Sequence, residues 1–140
     1  SGAITSWDEK TLGIVNDRIA QYKRLRPLIG KADVFHLTTP RLGAVQAALY
    51  RDPATDRGLL FAFQAGDPKL DHSIALRGLD RSSSYRLSVP VGPHGMVPEG
   101  RQFSGRMLTK RGLQIRFPGK GAAVLVEIEP VQNGKPSRQR

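Results

Sequence analysis

After Gly30 the hydrophobic period of this chain changes, and that change limits the folds open to it. Up to that point the apolar residues recur at helical spacing. Leu12, Val15, Ile19 and Tyr22 form one stripe, extended by Ile14 and Leu25. Ser6-Trp7-Asp8-Glu9 precedes the stripe as a capping box, and Asp8 and Glu9 sit at the positive end of the helix dipole. Pro27 disfavours the α conformation at Arg26, which predicts a helix end near Leu25. Beyond Gly30 the chain breaks into short apolar runs separated by Gly- and Pro-containing turns. Predicted strands are 33–38, 44–51, 57–64, 73–77, 85–89, 113–117 and 122–129, with a short edge strand at Phe103. In the second, Val45, Ala47 and Leu49 alternate inward; in the third, Leu59 to Phe63 is apolar enough for a central strand. Pro90 to Gly100 reads as a long loop, Met107-Leu108 as one helical turn or a tight corner, and Gly119-Lys120-Gly121 as a hairpin turn between the last two strands. The sequence after Pro130 is polar and basic and predicts a disordered tail.

One helix followed by seven to eight strands at close spacing predicts a mainly β fold: an antiparallel β-sandwich with one N-terminal α-helix. A chain of 140 residues supports one domain with a core of its own. The lone amphipathic helix needs more cover than a sandwich supplies, so an upstream domain is expected to share it. No apolar run reaches the roughly 20 residues that span a bilayer.

The chemistry of catalysis is sparse. There is no cysteine, which excludes disulfides, thiol nucleophiles and cysteine-ligated metals. His36, His72 and His94 show no metal-ligand spacing, and no GxSxG elbow occurs. Asp8 and Glu9 point about 100° apart on a helix and cannot face each other across a reacting bond. Asp67 and Asp71 flank Pro68 in a turn. No catalytic residue, metal ligand or cofactor is therefore assigned. The net charge of +10 raises nucleic acid as a partner, but the basic residues are spread along the chain without an aromatic stacking platform, which argues against it. Trp7 and Tyr50 are the candidate carbohydrate-stacking residues, with Tyr22 and Tyr85 expected to pack.

Several segments then carry a resemblance, in order: Tyr22-Lys23-Arg24-Leu25-Arg26-Pro27-Leu28-Ile29, Ala44-Val45-Gln46, Arg57 to Phe63, Leu76-Arg77-Gly78-Leu79-Asp80 with Tyr85-Arg86-Leu87, Phe103-Ser104-Gly105 with Met107-Leu108 and Gly112-Leu113, and Ala122 to Glu129. Together they resemble the end of the catalytic barrel and the C-terminal β-sandwich of melibiase-type α-galactosidases, glycoside hydrolase family 36. Arg81 departs from the proline usual after Leu-Asp, and the 90–100 loop is longer. The resemblance implies residues 1–30 as the last barrel helix, 31–130 as the sandwich and 131–140 as a tail. It implies a non-catalytic accessory domain supporting an upstream barrel, whose two catalytic carboxylates lie outside this chain. Carbohydrate and a second copy of the chain are further expected partner classes. The alternative reading is a free-standing carbohydrate-binding β-sandwich. Compartment and sugar preference are not legible.

Overall fold

The computed structural model describes residues 9, 13, 17, 25–38, 45–66, 71–90 and 93–132. Glu9, Gly13 and Asp17 are helical and exposed, spaced as one face of a helix. Ser6 and Asp8 of the capping box and the apolar stripe before Leu25 lie outside the described residues, as do Trp7, Tyr22 and the tail from residue 133.

The first described element, α1, is Arg26–Lys31. The expected helix end near Leu25 is thus corrected. Pro27 lies in the first turn of α1, where the missing N–H has no intrahelical partner to lose and the fixed φ suits a helix start. The strands are β1 (Asp33–His36), β2 (Val45–Arg51), β3 (Gly58–Gln64), β4 (Asp71–Ile74), β5 (Ser84–Ser88) and β6 (Gln102–Ser104). After helix α2 (Gly105–Lys110) come β7 (Leu113–Arg116) and β8 (Ala123–Pro130). β4 begins and ends earlier than the predicted 73–77, because the Leu76 amide turns away to donate to the Leu108 carbonyl at the end of α2.

All pairings are antiparallel. A six-stranded sheet runs β1-β2-β3-β8-β5-β6, and β4-β7 form a separate two-stranded sheet. The 119–121 turn is therefore not a hairpin: β7 pairs with β4, whereas β8 pairs with β3 and β5, so the turn carries the chain from the small sheet to the large one. Its Gly121 has φ +86°, and its amide donates to Gln64 across the sheet end.

Register divides the large sheet into two apolar faces. Val45, Ala47 and Leu49 of β2, Leu60 and Ala62 of β3, Tyr85 and Leu87 of β5, and Val124, Val126 and Ile128 of β8 point to the inner core. The small sheet closes that core with Ile74, Leu113 and Ile115, and α2 adds Leu108. The long loop contributes Met96 and Val97, both buried, and is anchored where Glu99 accepts from the Val89 amide. The alternate residues Ala48, Tyr50, Leu59, Phe61, Phe63, Ala123 and Leu125 point the other way and pack with Leu25 and Leu28 of the α1 segment. The alternation expected for β2 is thus incomplete: both of its faces are buried. The layers are α1, the large sheet, then the small sheet with α2.

Candidate functional site

The carboxylates of Asp52, Asp56, Asp71, Asp80 and Glu99 each accept a hydrogen bond, and Glu129 pairs with Arg57. The β2–β3 turn is built on Asp52, whose Oδ1 accepts from the Ala54 amide at 3.0 Å and Oδ2 from the Thr55 hydroxyl at 3.0 Å. These bonds, the Ala54 amide first, hold its carboxyl below the usual carboxylate range. Asp56 follows in the left-handed region at φ +62°, a conformation Asp tolerates. Its Oδ1 meets Arg51 Nε at 2.7 Å and its Oδ2 accepts from the Tyr85 hydroxyl at 2.7 Å.

The Tyr85 oxygen in turn accepts from the Asp80 amide at 2.9 Å. The Asp80 carboxylate caps its own turn by accepting from the Ser82 amide at 2.9 Å and from the Ser82 and Ser83 hydroxyls. The Ser82 amide, chiefly, keeps that carboxyl below its ordinary value. One continuous polar string thus ties the β2–β3 turn to the β4–β5 turn through a ring buried in the inner core. Sequence reasoning placed Asp56 and Asp80 in turns and Tyr85 in a strand, but it did not connect them. Residues 56 and 85 come together through the sheet order, which no local pattern encodes.

The histidines are separate from one another. His36, on edge strand β1, is half-buried, and its carbonyl accepts from Arg77. Burial, then the Arg77 charge, lowers its pKa. His72 sits edge-on to Phe117 at 5.8 Å. His94 Nδ1 meets Glu99 Oε2 at 2.9 Å in the long loop. Among the described residues, no group of three His, Cys, Asp or Glu could hold a metal ion, and no helix is long and apolar enough to cross a membrane.

The feature that calls for a function is the outer face of the large sheet. Its β2-β3-β8 half is apolar and includes Phe61 and Leu125. Its β5-β6 half is polar and exposed at Arg86, Ser88 and Gln102, and Arg57 reaches Glu129 at 3.6 Å where the halves meet. Tyr50, expected as a carbohydrate-stacking residue, is only 1% exposed within the apolar half, and burial pushes its hydroxyl up to about 12. Its ring is a packing element of this face and offers no surface to a sugar. Among the described residues, its hydroxyl and the buried Oε1 of Gln46 have no hydrogen-bond partner. Trp7, the other candidate, lies outside the described residues.

Known proteins share this fold. The chain is 32% identical over 114 residues to the probable alpha-galactosidase G of Emericella nidulans, a match covering 79% of this chain and 14% of that protein. The galactosidase domain of the alpha-galactosidase-sucrose kinase AgaSK superposes with a TM-score of 0.68 at 19% identity, over 89% of this chain and 16% of that one. The alpha-galactosidase AgaA of Geobacillus stearothermophilus superposes with a TM-score of 0.65 at 18% identity, over 91% of this chain and 17% of that one. These superpositions establish the shared fold. The chain spans about a sixth or less of the length of each relative. The sequence pattern of the glycosyl hydrolase family 36 C-terminal domain matches residues 45–128, from the first residue of β2 to near the end of β8, and the chain belongs to that family.

Proposed function

We propose that this chain is the non-catalytic accessory domain of a larger α-galactosidase-type glycoside hydrolase, and that it braces the upstream catalytic barrel through the outer face of its large sheet. One observation carries this reading. The apolar outer face, with Tyr50, Phe61, Phe63 and Leu125, packs against the segment by which the chain enters the domain. A sheet apolar on both faces is stable only as a middle layer. Here the second cover comes from the N-terminal side, where the family's barrel would lie. Residues 1–30 then serve as the last barrel helix, with α1 spanning the junction at position 30.

The carboxylates support the same reading. Each of those traced above is committed to a turn, an ion pair or a loop anchor, so a hydrolase containing this domain would draw its acid and its nucleophile from elsewhere. The domain's contribution is mechanical. It keeps water from the barrel flank and fixes the position of the last barrel helix.

The test has two arms. The 140-residue chain, incubated with an aryl α-galactoside, is expected to release no phenol above the blank, and turnover would refute the reading. In the longer hydrolase, Phe61→Asp is expected to lower the melting temperature and the soluble yield. An unchanged melting temperature would show that the outer face braces nothing.

A further inference from the structure

We infer that the cleft between the small sheet and the β6–α2 corner binds one sugar unit of a neutral oligosaccharide. The cleft has a volume of about 430 Å³, within the range of small-molecule sites. It lies on the side of the domain away from α1 and makes no use of the brace, so the proposal stands independently of the accessory-domain reading.

The chemistry of the lining selects the ligand. The floor is apolar, with buried Met96 from the long loop and half-buried Phe103 from β6. The rim is polar and exposed: Asp71, Arg101, Gln114 and Arg116. Asp71 only accepts hydrogen bonds, the two arginines only donate, and Gln114 does both. A pyranose has the complementary pattern: C–H faces that pack on apolar atoms, and an edge of hydroxyls that both donate and accept. A small anion would use the donors but face the Asp71 carboxylate. A purely apolar ligand would strip water from the rim and return no hydrogen bonds.

The rim is also held in place before any ligand arrives. Arg116 Nη1 lies 3.0 Å from both Asp71 oxygens, across a paired position of β4 and β7. The Arg116 amide donates to the Met96 carbonyl at 2.9 Å, which fixes the loop that forms one wall. The Arg101 guanidinium lies over the Phe103 ring, 5.2 Å from its centroid, so its donors are presented from a supported plane. Binding therefore orders few new side chains, which lowers its entropic cost.

The experiment is an amide chemical-shift titration of the 140-residue chain with raffinose, up to about 50 mM, as suits an affinity in the millimolar range. Shifts that saturate and cluster at residue 71, the 95–103 segment and β7 are expected. Gln114→Ala and Asp71→Asn, both at exposed positions, should each weaken binding about fivefold or more by removing an acceptor. Lys31→Ala, at an exposed position of α1 on the far side of the large sheet, should leave binding unchanged. Three results would overturn the proposal: no saturable shifts with raffinose, shifts that cluster elsewhere, or a response to citrate that exceeds the response to raffinose and disappears in Arg101→Ala. The last would mark an anion site.

Discussion

Replacing Gly105 by alanine would force a methyl group against main chain that cannot yield. Gly105 is the first residue of α2, and its amide donates to the Ser83 carbonyl at 2.7 Å. A Cβ there would lie 1.9 Å from the Asp80 carbonyl oxygen and 3.1 Å from that of Ser83, whereas real Cβ contacts essentially never fall under 3.0 Å. Flexible side chains can swing aside, but Asp80 is pinned. Its amide donates to Tyr85, and its carboxylate is held by Ser82 and Ser83. Relief therefore requires α2 to shift, which costs about 1–3 kcal/mol as overpacking. The two strained hydrogen bonds, from Gly105 to Ser83 and from Asp80 to Tyr85, add about 1 kcal/mol each. Lower entropy of the unfolded chain returns about 0.4–1 kcal/mol. The net expectation is a loss of about 3 kcal/mol, read by urea denaturation followed by circular dichroism, with the melting temperature about 10 °C lower. Gly30→Ala is the matched control. Gly30 lies in helix α1, and a Cβ there meets nothing within 4 Å. The same chemical change should stabilise by about 0.5–1 kcal/mol. A Gly105→Ala protein within about 1 kcal/mol of the parent would refute the close-approach argument.

Phe61→Ala should cost about 3–5 kcal/mol, because its ring is 1% exposed at the centre of the outer face; urea midpoints measure it, and a loss under roughly 1 kcal/mol would contradict the central placement of β3. Tyr85→Phe should cost about 1–3 kcal/mol, since it leaves Oδ2 of Asp56 without a donor and the Asp80 amide without an acceptor; a neutral result by differential scanning calorimetry would mean that solvent replaces both. The Tyr50 hydroxyl titrates near 12 in the fold against about 10 in the unfolded chain, so its neutral form is favoured when folded. Its stabilisation is complete below pH 10 and should fade between about pH 10 and 12, a loss that Tyr50→Phe should lessen in base-denaturation curves. His36 has the opposite window. Its lowered pKa means that stability present above about pH 6.5 declines as pH falls below it, which a His36→Gln variant should flatten.

The strand succession was legible because each run carries its own signal. The β3 segment, Leu59 to Phe63, has no polar residue to alternate, and it proved buried on both faces. The β6 edge strand and the turn of helix after it were marked by Phe103 and by Met107-Leu108, and both formed. Pairing was less legible. Gly119-Lys120-Gly121 has the composition of a hairpin turn, yet it joins strands of different sheets, since β7 pairs with β4 while β8 lies between β3 and β5. The burial of Tyr50 was not legible, because a tyrosine on a strand gives no local sign of whether its face meets solvent or another layer. The inner polar string escaped notice for a similar reason: a turn aspartate looks the same whether it serves its own loop or a partner 29 residues away.

Two-sided burial of the large sheet bears on how such modules can be exchanged. A protein engineer cutting this domain at Asp33, the first strand residue, would leave Leu25 and Leu28 behind and strip the outer layer of its only described helical cover. Swaps between hydrolases should travel with the entry helix included, the splice placed upstream of Leu25, so that the graft arrives with its own lid.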